Sequence, residues 1–193
     1  ISKSLATLGE VGRDLNRDRP SRTRHMELQR LIEHSRSSAL ARWWLNAVLR
    51  RMIPFNRPHG FRVVPMPSGG IRVVVPARRT NRNHIKGIHA CCLATAAELC
   101  SGLALMEHLD PKHIRIIMKS LAMEYHYQAK SGAYAEYAPS AEELETRVAG
   151  PLRAGQAVLH EAEVRVCDSQ GKHVATGRIT WQMKPWDKVR TRV

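Results

Sequence analysis

The chain has 193 residues, 43% of them hydrophobic, enough for one well-cored domain plus an appendage. No run of about 18 apolar residues is free of charge, so no transmembrane span is expected. The net charge is +14, from 31 Lys and Arg against 17 Asp and Glu. That surplus favours an anionic partner: nucleic acid, an anionic membrane surface or a phosphate-bearing ligand.

Cys91, Cys92, Cys100 and Cys167 show no C-x-x-C spacing. A metal centre or a disulfide framework is therefore not expected. Histidines are plentiful but form no H-x-H or H-x-x-x-H cluster, which again points away from a metal. Reduced thiols buried as small hydrophobes fit better, in a reducing compartment.

Residues 1–23 lack periodicity and carry Gly9, Gly12 and Pro20 among charges, which reads as a loosely held arm. Residues 1–60 hold twelve Lys and Arg against five Asp and Glu, a composition like that of a mitochondrial presequence. The stretch reads either as the remainder of an imported precursor, on the matrix side, or as a basic tail that touches RNA. Residues 24–52 have helical spacing, from Leu28 and Ile32 through Leu40, Trp43, Trp44 and Val48 to Met52, interleaved with Arg30, Arg36, Arg42, Arg50 and Arg51. This helix either offers a basic amphipathic face to a membrane or partner, or packs its Trp-Trp face on its own domain. Pro54 and Pro58 end it.

Phe61–Met66 and Ile71–Ala77 are β-rich runs joined by Pro67-Ser-Gly-Gly70, a hairpin signal. A polar loop, residues 78–88, leads into a helix over 89–109, stopped at Asp110-Pro111. The helix has about five turns and is apolar nearly all round, so it is expected to be buried on most sides. Its small residues let other backbones come close. One acid, Glu98, sits inside its apolar stretch, sharing a face with Thr95, Ser101 and Gly102. Ionising a carboxylate in such surroundings is costly unless it is hydrated or partnered. Glu98 therefore either looks out through a gap in the packing, pairs with a cation or hydroxyl, or lines a site.

Ile114–Lys119, Ala122–Gln128 and Gly132–Tyr137 read as three strands. Ser140-Ala-Glu-Glu143 is a capping box for a short helix that ends at Gly150-Pro151. Two long strands follow, Gln156–Cys167 and Lys172–Lys184, joined by Asp168-Ser-Gln-Gly171, and the tail Lys188–Val193 is basic and expected to fray. The expected class is α+β: one curved antiparallel sheet wrapped around one long central helix, with an N-terminal helical extension.

This order resembles the hotdog fold. The residues that carry the likeness are Asn83-His84, Gly87-Ile-His89-Ala and Ala97-Glu98, supported by Ile53-Pro-Phe-Asn56, Arg78–His84 and the Tyr125–Gly132 turn. The likeness covers about residues 53–184. It is closest to the thioesterase-like branch classed as a domain of unknown function, relatives of the PaaI-type acyl-CoA thioesterases. The resemblance implies a hotdog domain over 53–184; it does not explain residues 1–50, so the basic arm and amphipathic helix over 1–52 and the basic tail over 185–193 rest on composition and spacing alone. It also implies a homodimer or a hotdog-paired partner, with sites at the subunit boundary beside the helix start.

On the same basis, the backbone N–H groups of Gly87, Ile88 and His89 would hold the thioester oxygen. Glu98 would act as base or nucleophile, and Asn83 and His84 would orient water or thioester. Arg78, Arg79, Arg82, Lys86 and Thr95 would contact substrate, the cations through the phosphates of coenzyme A. Bland roles stand beside these: His84 and His89 as loop braces, and the cations as a solvated or RNA-facing loop. Trp43, Trp44, Trp181 and Trp186 read as packing or interface anchors. The pattern departs from the most active members at Ala90, where they carry a second glycine, and at Glu98, where they usually carry Asp.

The expected function is hydrolysis of an acyl-CoA thioester, or descent from enzymes that do this, with no cofactor and no metal. The competing expectation is a non-catalytic hotdog subunit of a large mitochondrial assembly, a ribosome bound to rRNA or a respiratory complex. The basic extension and the Trp-Trp helix motivate that second reading.

Overall fold

In the computed structural model, residues 22–189 are described, with side chains from Leu28 onward. Two helices, α1 (Arg22–His34) and α2 (Ala39–Met52), precede a hairpin of β1 (Arg62–Pro65) and β2 (Ile71–Val75). Helix α3 (Ala90–His108) follows, then β3 (Ile114–Tyr125) and β4 (Ala133–Tyr137). A helical segment runs from α4 (Ala141–Leu144) through a wide turn, Glu145–Ala149, into α5 (Gly150–Arg153). The chain closes with β5 (Val158–Asp168) and β6 (His173–Pro185).

All six strands form one sheet in the order β1-β2-β4-β5-β6-β3, with every neighbouring pair antiparallel. Five of them, all but β1, carry substantial contact with α3, so the sheet curls around the helix. Strict alternation on β2, β4 and β5 turns Val73, Val75, Ala135, Ala162, Val164 and Val166 inward. Small residues set the spacing. A Cβ placed on Gly177 of β6 would meet Ala97 Cβ at 3.2 Å and Met123 Sδ at 3.0 Å. Among the described residues, α3 is the one helix whose length and composition would suit a membrane span, but here the sheet covers it. The buried hydroxyl of Ser101 is fully engaged: it accepts the Trp181 Nε1–H at 3.0 Å and donates to Ala97 O at 3.1 Å.

The two sheet edges are treated differently. On the β1 edge, the Asn46 side chain of α2 accepts the Val63 N–H at 2.7 Å and donates to Val63 O at 2.9 Å. One amide thus fills the positions that a further strand would take. Helix α1 closes the far end of α3, where Gln29 Nε2 donates to Met106 O and Leu109 O, both at 3.0 Å, satisfying last-turn carbonyls. Arg36 pairs with Glu107 of α3. The β3 edge has no such cover among the described residues: it is twelve residues long and leaves Ile117 and Met118 exposed.

The structure corrects several expectations. The single helix over 24–52 is two helices. Ser35 turns its hydroxyl back onto Leu31 O at 2.6 Å, and Ser38 caps α2 by accepting the Ala41 N–H at 3.2 Å. The Trp-Trp face does not pack on the domain: Leu45 and Leu49 do, and Trp43 and Trp44 point outward. The runs 114–119 and 122–128 join into one strand, because a bulge between Met118 and Ser120 absorbs the irregularity. The helix after Ser140 passes Gly150-Pro151, because the wide turn over Glu145–Ala149, with the Gly150 N–H on Glu145 O, re-spaces the backbone just ahead of Pro151. Cys91 is exposed, while Cys92, Cys100 and Cys167 are buried. The arm over 1–21 and the tail beyond 189 lie outside the described residues.

Asn46→Ala should expose an unpaired strand edge beneath α2 and lower unfolding stability by about 1–3 kcal/mol. Urea denaturation measures this, and an unchanged midpoint would show that the amide does not seal the edge.

Candidate active site

The loop ahead of α3 is held by its asparagines. The buried Asn81 amide donates to His59 O at 2.9 Å and Pro76 O at 2.8 Å, and its Oδ1 lies 3.0 Å from His59 Nδ1. Asn83 folds the next turn: its Oδ1 accepts the Gly87 N–H at 3.0 Å, and its own N–H donates to Gly87 O at 2.9 Å. Lys86 takes the positive φ of 64° that this turn demands.

These bonds decide which donors are free. The Gly87 N–H is engaged by Asn83. The Ile88 N–H donates to Ala129 O at 2.8 Å, and the His89 N–H donates to Asn81 O at 2.8 Å. None of the three expected donors is therefore open to a ligand. His89 is the N-cap of α3, its Nδ1 accepting the Cys91 N–H at 3.1 Å. The next N–H after these three, that of Ala90 at the positive end of the helix, has no partner among the described residues. Its carbonyl accepts the Tyr125 hydroxyl at 2.9 Å.

A cleft of about 790 Å³ runs along α3 from Cys91 to Met106, between the helix, β3 and the segment after α2. Ile53, Phe55, Leu99, Leu103, Ile116, Met118, Leu121, Met123 and Trp181 make it chiefly apolar. Glu98 lines it, half-buried, with no hydrogen bond or ion pair to its carboxylate among the described residues. Burial pushes its pKa above the ordinary carboxylate value. Asn56 lines the same wall, with a buried Oδ1 that has no partner among the described residues. A second hollow of about 330 Å³ lies at the start of α3, lined by Asn83, Ile88, Ala90, Tyr125, Gln128 and neighbours. Tyr125 borders both spaces.

The expected site residues are thus divided. Glu98 and Thr95 line the cleft; Thr95 Oγ1 donates to Cys91 O at 2.9 Å. Asn83 and Ile88 line the hollow. His84 and His89 are exposed and line neither. Gly87 is buried because Gln128 packs on it: a Cβ there would meet Gln128 Nε2 at 2.5 Å. Arg78, Arg79, Arg82 and Lys86 are exposed on the loop, outside both spaces and without an acidic partner among the described residues. Asn56, Tyr125 and Asn81 have places in or behind the site that the sequence showed only as parts of fragments, and Ala90 was marked only as a departure from the family pattern, not as a donor.

The pattern of one family, a domain of unknown function (DUF4442), matches residues 41–183. The chain belongs to the DUF4442 family. This DUF4442 protein shares its hotdog fold with solved structures. One is a Pseudomonas aeruginosa protein of unknown function, named a "probable thioesterase": 24% identity, TM-score 0.66, covering 79% of this chain and 95% of that one. Another is a P. aeruginosa thioesterase: 13% identity, TM-score 0.56, covering 72% and 93%. A third is a Staphylococcus aureus thioesterase: 12% identity, TM-score 0.53, covering 68% and 99%. At these identities the likeness speaks for the fold. No curated protein is a match.

Because burial raises the Glu98 pKa, the folded state holds that proton more tightly than the unfolded chain does. The contribution of Glu98 to stability therefore falls as pH rises from the ordinary 4.5 to the raised value, and stays low above it. Glu98→Gln should be more stable than the parent at about pH 8, with the gap closing towards about pH 4. Melting temperatures across that range test this, and a variant that is less stable at alkaline pH would contradict it.

Proposed function

We propose that this DUF4442 protein hydrolyses acyl thioesters, coenzyme A thioesters foremost, as a hotdog homodimer. The observation that carries the reading is Glu98: an acid without a partner among the described residues, lining an otherwise apolar cleft of about 790 Å³. That volume lies within the usual range for ligand sites, about 300–1,000 Å³, and the lining suits a hydrocarbon chain. A base with a raised pKa works closer to neutral pH than an ordinary carboxylate does.

In the proposed step, Glu98 takes a proton from water as its oxygen attacks the thioester carbonyl carbon. The Ala90 N–H, at the helix start, receives the negative oxygen of the tetrahedral intermediate. The C–S bond then breaks. Glu98 returns its proton to the sulfur, which leaves as a thiol, and a carboxylic acid remains.

Distance argues that these two groups come from different subunits. Ala90 and Glu98 are eight residues apart on one helix, about 12 Å along its axis. A carbonyl and the water attacking it need both groups within about 3 Å of their targets. In the proposed dimer, β3 edges pair and each Glu98 meets the other subunit's loop from Asn83 to Ala90. The open β3 edge supports this, as does the β1 edge, which Asn46 already occupies. Variants of the S. aureus thioesterase replace a Gln and a Glu fifteen residues apart, the same separation as Asn83 and Glu98. We assign Asn83 to the thioester side of the site on that parallel. Arg78, Arg79, Arg82 and Lys86, exposed beside it, supply cations for the phosphates of coenzyme A.

Two variants test the roles. Glu98→Gln should lower kcat on acyl-CoA by about 10²- to 10⁴-fold. Ala90→Pro removes one N–H at the first helical position, where proline is tolerated, and follows a His89 already extended at φ −66°, ψ 137°. It should leave folding intact and lower kcat by about 10²- to 10³-fold. Turnover unchanged in Glu98→Gln would end the assignment of the base. No turnover of any acyl-CoA by the parent would leave a non-catalytic hotdog subunit.

A further inference from the structure

Helix α2 is apolar on two sides. Leu45 and Leu49 face the domain and are buried. Leu40, Trp43, Trp44, Ala47 and Arg51, at the spacing of one helical face, look outward. Leu40 is 69% exposed, Trp43 61% and Trp44 54%, and the two indoles touch only edge to face, 5.0 Å between centroids. Past the end of the helix, Met52 and Phe55 extend the exposed apolar surface. Large apolar side chains exposed on one helix and the turn after it mark a contact.

The segment that carries this face is one-sided in charge. From His34 to Ala97 the chain has eleven Lys and Arg and not one Asp or Glu, although Arg36 and Arg72 pair with Glu107 and Glu136 from elsewhere in the fold. Arg50, Arg51 and Arg57 are exposed at the end of α2, and Arg57 Nε donates to Arg50 O at 2.8 Å, which holds the cluster together. The apolar surface also continues into the cleft, because Ile53 and Phe55 form part of the cleft wall.

We infer that the outward face of α2, continued by Met52 and Phe55, docks on an anionic lipid bilayer. Trp and Leu enter the boundary between headgroups and acyl chains, where an amphipathic indole is favoured. Arg50, Arg51 and Arg57 lie along the headgroups and meet their phosphates and carboxylates. Phosphate attraction alone, as for RNA, would give no use to the exposed Leu40, Met52 and Phe55. Docking rests on this face whatever the cleft does. The consequence for catalysis, that the cleft mouth opens where long acyl chains partition, rests on the thioester reading.

The test uses the full chain with phosphatidylcholine vesicles, with and without phosphatidylserine. The protein should sediment with the anionic vesicles only, progressively less as salt rises. Those vesicles should also shield its tryptophans from iodide. Trp43→Ser/Trp44→Ser and Arg50→Gln/Arg51→Gln should each weaken binding at least about tenfold. Both should keep the parent's kcat/KM on a short, water-soluble acyl-CoA. Because binding is read by sedimentation, an inactive parent would defeat the thioester reading and leave the docking result standing. Failure to sediment, equal binding to neutral vesicles, or undiminished binding by either double variant would overturn the proposal. So would displacement by RNA at equal phosphate, which assigns the face to nucleic acid. Tryptophans already shielded before vesicles are added would also overturn it, assigning the face to residues 1–21 or a second copy.

Discussion

An apolar helix with an unpaired acid midway along it is the constraint that shapes this protein. Helix α3 has no polar face to give to water, so something must cover it on nearly every side. The curled six-stranded sheet does most of this, through contacts as close as Ala97 against Gly177. Glu98 is the residue this arrangement cannot cover, since a carboxylate buried without a partner is costly to ionise. The packing therefore opens beside it, and the opening is the cleft.

The N-terminal helices belong to this arrangement. Asn46 seals the β1 edge, Gln29 closes the carbonyl end of α3, and Ile53, Phe55 and Asn56 form one wall of the cleft. Among the described residues β1 is sealed and β3 is open, which leaves one sheet edge for the proposed second copy. The rise of α3 separates Ala90 from Glu98, and in the proposed dimer pairing at that edge would bring one chain's donor to the other's acid.

Much of the fold was legible in the sequence because it depends on periodicity. The central helix was expected over 89–109 and runs Ala90–His108, and the hairpin and the two long final strands fall close to where alternation placed them. The break at Ser35–Ser38 was missed because no Gly or Pro marks it; two serine hydroxyls make it. Glu98 stood out because a lone charge in an apolar stretch is visible without coordinates. The proposed oxyanion donor was not visible, because the availability of an N–H depends on which carbonyls the loop has already brought to it. Gly87, Ile88 and His89 lose theirs to Asn83, Ala129 and Asn81, contacts up to 41 residues away in the chain, and Ala90 is left. Asn56 was noticed only as part of a fragment, since its unpaired oxygen exists only once α3 and β3 close around it.

The account turns on the acid and the helix start acting across two subunits. Mixing Glu98→Gln with Ala90→Pro, each nearly inactive alone, tests this directly. In a mixed dimer one site would join the intact Glu98 of one chain to the intact Ala90 of the other. An equal mixture that exchanges subunits should therefore recover about a quarter of the parent's acyl-CoA hydrolysis. Activity that stays at the level of the separate variants, with subunit exchange shown by native mass spectrometry, would contradict it.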